Sequence, residues 1–112
     1  MLEGTWYTPS VATTWQLQLS GTLDTSHAVD LYDIDLFDNS AEAIAALQAD
    51  GKKVICYFST SYEDWRSDAD DFLSTSLGKE MDDWPGEKWV DIRSQNVLDI
   101  MIARLDLALS KG

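Results

Sequence analysis

The chain has 112 residues, with twenty acidic side chains against eight basic ones, a net charge of −12 and 45% hydrophobic residues. That is enough chain for one modest core, and the charge argues against nucleic acid or an anionic membrane surface as a partner, favouring a cationic ligand or plain solubility. No apolar run approaches the roughly 20 residues of a membrane span, the lone Cys56 cannot close an internal disulfide, and His27 by itself builds neither a zinc cluster nor a Ser-His-Asp triad.

Glu3 and Gly4 arrive too soon for the opening residues to read as a signal peptide, and Trp6, Tyr7 and Pro9 begin an extended, turn-rich segment in which Trp6 is expected to pack. Residues 15–19 alternate, with Trp15, Leu17 and Leu19 on one face and Gln16 and Gln18 on the other, which predicts a strand. If that polar face is the inner one, the two glutamines could hydrogen-bond a ligand.

A second strand is predicted over 29–35. Val29, Leu31, Asp33 and Asp35 share one face, and Asp30, Tyr32 and Ile34 share the other. Carboxylates at the end of a central strand are costly to bury without a partner. Asp33 or Asp35 is therefore either bonded to backbone and Arg93 in one polar cluster, or turned toward a ligand. Ser40 caps a helix rich in Ala and Leu over 41–49, Glu42 suits its first turn, and Gly51 stands at its left-handed C-terminal cap. Residues 53–58 form a third strand, too close in sequence for any connection but a tight helical crossover, so it should lie parallel to the second. Cys56, inside this apolar run, reads as a small hydrophobe rather than a nucleophile.

Parallel strands bind and react at their carboxyl ends, which brings Asp33, Asp35, Tyr57, Ser59 and Glu63 to one rim. Residues 59–87 are long for a connection. Ser67 and Asp70 look like the capped start of a short helix carrying Phe72 and Leu73. Asp68, Asp70 and Asp71 lack the spacing and glycine of a calcium loop, and Trp84-Pro85-Gly86 marks a turn. A fourth strand is expected over 88–92, with Asp91 and Arg93 at its carboxyl end. Ser94 then opens a helix whose apolar face comprises Val97, Leu98, Met101, Ile102, Leu105, Ala108 and Leu109.

Y-D-I-D-L-F-D at 32–38, G-K-K-V-I-C-Y-F-S at 51–59 and S-Y-E-D-W-R at 61–66, flanked by W-Q-L-Q-L-S-G at 15–21 and W-P-G-E-K-W-V-D-I-R at 84–93, resemble glycoside hydrolase family 114, the endo-α-1,4-polygalactosaminidases. The resemblance covers nearly the whole chain in order. The family pattern carries A-G-S where this chain has T-S after C-Y-F-S, a shortening next to Glu63. The resemblance implies an α/β fold, with residues 1–112 as a single domain forming a parallel (β/α) half-barrel: the first four strands of a TIM-barrel-like fold that needs eight strands and roughly 200 residues or more.

It also implies that the proposed catalytic acids lie beyond Gly112, so this chain by itself should not cleave. Gln18, Asp33, Asp35, Tyr57, Glu63, Trp65, Asp91 and Arg93 are left as candidate substrate-binding residues, with no metal and no cofactor. Trp65 and Tyr57 could stack on sugar rings, or Trp65 could cover the barrel top. The implied partner is a cationic or amino-sugar polysaccharide, and the implied setting is extracellular. A half-barrel would expose sheet edges and interior, so a homodimer or a C-terminal half-barrel is expected to cover them. The alternative is a non-catalytic acidic carbohydrate-binding or scaffold fragment; a flavodoxin-like domain is the weaker reading, because no glycine-rich phosphate loop follows the first strand.

Overall fold

The structure, a computed structural model, describes residues 6–112; Glu3 and Gly4 lie outside the described residues. Trp6 is exposed, against the expectation that it packs.

Three strands, β1 (Trp15–Gln18), β2 (Leu31–Asp35) and β3 (Lys53–Tyr57), form a parallel sheet in sequential order. Helix α1 (Ala41–Ala49) connects the last two, and the Ser40 hydroxyl accepts the Ala43 N–H at its start. The predicted alternation along β2 divides the sheet into two unlike faces. Tyr32 and Ile34 pack against Ile44 and Leu47 of α1, with Val54 and Cys56 beside them. Each fully buried aliphatic side chain of this kind contributes roughly 1.5–3 kcal/mol. The Tyr32 hydroxyl is satisfied in place, accepting from the His27 N–H and donating to its carbonyl.

The opposite face carries Trp15, Leu17, Ile55 and Tyr57, all exposed. Gln18 is in register with Ile34, so it lies on the helix side of the sheet. This corrects the expectation of glutamines on the inner face. Its amide donates to the Ser20 and Thr22 carbonyls and accepts from Asp24 N–H, which folds the loop after β1.

The strand expected over 88–92 forms as β6 (Glu87–Val90), but it is not a fourth member of the parallel sheet. It is the centre of a second, antiparallel sheet, between β4 (Tyr62–Glu63) and β5 (Leu77–Glu80). The physical reason lies in residues 59–86. A parallel connection needs a crossover element that packs on the sheet. This segment instead supplies two short antiparallel partners that engage both edges of β6. The helix expected after Ser67 is a single 3₁₀ turn, Ala69–Asp71, with Asp68 ahead of it and no side-chain cap.

Helix α2 (Gln95–Ser110) follows. Its Val97 and Ile100 pack with Phe72, against Tyr62, Leu77 and Val90. The buried stripe is thus Val97, Ile100 and Arg104, not the full apolar face read from the sequence: Leu98, Ile102, Leu105 and Leu109 are exposed. Ser94 occupies the N-cap position, yet its hydroxyl bonds the Ser76 hydroxyl rather than a helix N–H.

Candidate functional site

At the carboxyl ends of β2 and β3 lies a cleft of about 590 Å³, whose lining includes Asp35, Tyr57, Glu63 and Trp65 together with Arg66 and Glu87. Asp35 is the last residue of β2, and Glu63 the last of β4. Arg66 follows through a tight turn in which its N–H donates to the Glu63 carbonyl.

The Arg66 guanidinium is the centre of the site. It donates to both Asp35 oxygens, at 2.6 and 3.0 Å, and its Nε donates to Glu63 Oε1 at 3.1 Å. A longer contact of 3.5 Å reaches Asp38 Oδ1. Its plane lies over the Phe37 ring at 4.8 Å and near Trp65 at 5.8 Å. Asp35 Oδ2 also accepts the N–H groups of Phe37 and Asp38. This forked pairing of guanidinium and carboxylate is the strong, directional form of an ion pair. Arg66, Asp35 and Glu63 are all buried, whereas Asp38 is exposed.

Burial pushes the Glu63 carboxyl above the ordinary glutamate range; the Arg66 hydrogen bond and charge oppose the shift, and the nearby Glu87 charge adds to it. Burial would also lower the Arg66 guanidinium, but the hydrogen bonds and charges of Asp35 and Glu63 hold it up. A carboxyl whose pKa is higher folded than unfolded favours the fold while protonated, and this contribution is lost as pH rises through the folded value. Stability attributable to Glu63 should therefore be present below the ordinary glutamate range and decline above it. Urea midpoints of wild type and Glu63→Gln across the weakly acidic range check this: the variant should gain on wild type as pH rises, and a constant difference would contradict it.

The other candidates lie elsewhere. Asp33 projects onto the open sheet face with Leu31 and Ile55, in a separate cavity of about 330 Å³ that Pro9 and Trp15 also line. Its Oδ1 is buried without a hydrogen-bond partner among the described residues, and burial raises its carboxyl. Arg93 does not join Asp33 or Asp35. It pairs with Asp91 two residues away, at 3.0 and 3.1 Å, in an exposed turn after β6. The expected cluster of Asp35 with Arg93 is therefore corrected to Asp35 with Arg66. The short local loop leaves Arg93 next to Asp91, whereas the β3–β4 connection carries Arg66 back over the end of β2.

Sequence reasoning passed over Arg66 and Glu87 as members of the cleft. A usable signal was present, since Arg66 stands three residues after Glu63 in a chain with few basic residues. Glu87 is placed by the turn before it: Gly86 has φ +87°, and a Cβ there would come within 2.7 Å of the Asp64 carboxylate. A second arginine, Arg104 of α2, braces the rim from behind. It holds both Asp68 oxygens, at 2.7 and 3.0 Å, and donates to the Ser59 carbonyl at 2.6 Å.

Among the described residues, no group of three or more His, Cys, Asp or Glu side chains is arranged to hold a metal ion, and no helix is long and apolar enough to cross a membrane. The cleft can hold a polar, positively charged ligand: four carboxylates (Asp35, Asp38, Glu63 and Glu87) line it against one guanidinium, with aromatic rings at its sides.

The profile of glycoside-hydrolase family GH114 matches residues 2–112. A crystal structure of Aspergillus fumigatus Ega3 in complex with galactosamine is similar, with a TM-score of 0.91 and 54% sequence identity over 95% of this chain. The chain spans 43% of that protein's length. Among curated proteins there is no match.

Proposed function

The chain belongs to glycoside-hydrolase family GH114, and from that premise we propose that it forms the sugar-binding part of an extracellular enzyme that cleaves α-1,4-linked galactosamine polysaccharide. The observation that carries the reading is the cleft at the carboxyl end of the parallel strands, where Arg66 holds Asp35 and Glu63 between aromatic rings. Glycoside hydrolysis requires two carboxyl groups across the scissile bond, one protonated and one ionised. Asp35 is fully engaged by Arg66 and backbone N–H groups, so it serves to anchor the site. The cleaving acids belong, as the family resemblance implies, to further β/α units outside these residues. Tyr57 and Trp65 offer flat apolar surfaces for the sugar rings, and both are exposed at the cleft.

The same reading treats residues 1–112 as one partial (β/α)-barrel domain. Two apolar surfaces support it: the open sheet face with Trp15, Leu17 and Ile55, and the stripe of Leu98, Ile102, Leu105 and Leu109 on α2. In a whole barrel both are covered by the remaining units. The 112-residue chain in isolation should cover them by pairing with a second copy. Sedimentation together with a reducing-end assay on galactosamine oligomers tests the reading: the isolated chain should associate and bind without cleaving, whereas the chain with its remaining β/α units should cleave. A monomeric isolated chain that cleaves would move catalysis onto Glu63 or its neighbours and overturn the proposal.

A further inference from the structure

The open face of the β1–β2–β3 sheet carries a carboxylate at its centre. Asp33 lies in register between Leu17 of β1 and Ile55 of β3, and Trp15, Leu17 and Ile55 stand exposed around it. A carboxylate oxygen in apolar surroundings needs a donor, yet Asp33 Oδ1 is buried with no hydrogen bond among the described residues. The neighbouring polar groups are engaged elsewhere. Ser10 and Thr13, which line the same cavity of about 330 Å³, bond each other and local backbone N–H groups. Lys53, two residues before Ile55 on β3, holds its ammonium over the Tyr7 ring at 5.2 Å. Arg66, Arg93 and Arg104 pair with Asp35, Asp91 and Asp68. Burial is what shifts the Asp33 carboxyl, and it raises it, as it does where no cation is near.

We propose that this face is one half of an interface whose other half is a β-strand of the remaining β/α units, carrying a lysine or arginine that reaches Asp33. The inference rests on the partial barrel proposed above and states what the covering segment must bring. Apolar residues around one carboxylate match a strand with apolar residues around one cation. The apolar ring excludes water, and the ion pair closes only when the two halves meet in register. A second copy fits worse. In a two-fold, face-to-face pairing it covers the apolar ring but sets another Asp33 against the first, between chains of net charge −12 each. Asp33 thus favours completion of the barrel over self-pairing, by an unpaired charge that penalises the wrong partner.

The test is Asp33→Asn, made in the 112-residue chain and in the chain with its remaining β/α units. Asp82→Asn, in the exposed turn between β5 and β6, makes the same charge change away from this face. In the isolated chain the Asp33 substitution removes an unpaired charge, so sedimentation should show self-association about tenfold tighter. In the complete barrel it strips a cation of its partner, so the urea midpoint should fall. Asp82→Asn should match wild type in both. If Asp33→Asn folds poorly, the wild-type carboxyl gives the answer by NMR. It should titrate above the ordinary aspartate range in the isolated chain and below that range in the complete barrel, where a cation faces it. A complete barrel that Asp33→Asn leaves unchanged or stabilises, or in which Asp33 still titrates above the ordinary range, refutes the ion pair. Unchanged self-association of the isolated chain overturns the preference over a second copy. A complete barrel that is destabilised by Asp33→Asn yet cleaves no galactosamine polymer refutes the proposed function alone and upholds the interface.

Discussion

Replacing Arg66 with alanine is expected to lower folding stability by about 3–5 kcal/mol, because it leaves two buried carboxylates without their cation. Asp35 would keep the Phe37 and Asp38 N–H groups, but Glu63 would lose its hydrogen-bonded partner among the described residues. Net stabilities of single domains run to about 5–15 kcal/mol, so this loss consumes much of the margin. Arg66→Lys should recover only part of it, since an ammonium cannot reproduce the fork that spans both Asp35 oxygens. Adding Glu63→Gln to Arg66→Ala should restore part of the stability relative to the single variant, because the side chain left without a partner is then neutral while Asp35 keeps its backbone N–H donors. Denaturant midpoints of the four proteins at neutral pH provide the measurement. An Arg66→Ala protein as stable as wild type would mean that the cleft opens and hydrates both acids, and that the network does not hold the site together.

Arg104→Ala should cost a similar amount, about 3–5 kcal/mol, but with a different signature. Arg104 is 1% exposed and holds three separate elements. Its guanidinium grips Asp68 with two hydrogen bonds, donates to the Ser59 and Ser61 carbonyls, and lies among the rings of Phe37, Phe58 and Phe72 at 5.2 to 5.9 Å. Truncation leaves the Asp68 carboxylate and two backbone carbonyls short of donors and opens a gap among three aromatic rings. It therefore combines lost hydrogen bonds with a cavity. Helix α2 packs elsewhere on the chain chiefly through Val97 and Ile100, so its C-terminal half depends on this side chain and on Lys111, whose ammonium donates to the Leu36 and Asn39 carbonyls. Hydrogen exchange should accelerate in residues 100–110 and in the 59–68 segment, while the β1–β2–β3 sheet keeps its protection. Uniform acceleration across the chain would instead mean that the whole domain unfolds as one unit.

Between these two arginines runs the division between what sequence and tertiary structure each decide. Ser40, the Ala-rich run after it and Gly51 determined α1 locally, because a cap, helix-forming residues and a left-handed stop all act within a few residues of chain. The period of two along β2 put Tyr32 and Ile34 on one face and Asp33 and Asp35 on the other, the short spacing to β3 made the pair parallel, and the packing of α1 decided that the Tyr32 face is the core. Those properties placed Asp33, Asp35, Tyr57, Ser59 and Glu63 at one rim before any coordinates, and all of them but Asp33 line the cleft.

Tertiary structure decided the partners. The sequence reading chose Arg93 as the mate of Asp35, and the path of the β3–β4 connection selects Arg66 instead. Likewise, Arg104 sits at a helix position that a charged residue usually turns to solvent, and only the convergence of Asp68 with the Ser59 and Ser61 carbonyls makes its burial favourable. The antiparallel β4–β6–β5 sheet escaped the sequence reading for the same reason. Two residues of β4 and four of β5 carry too little periodicity to register as strands, and they become strands because β6 offers both edges to them. Short-range propensity acts within one element, whereas ion-pair choice and sheet membership depend on which segments the folded chain brings together.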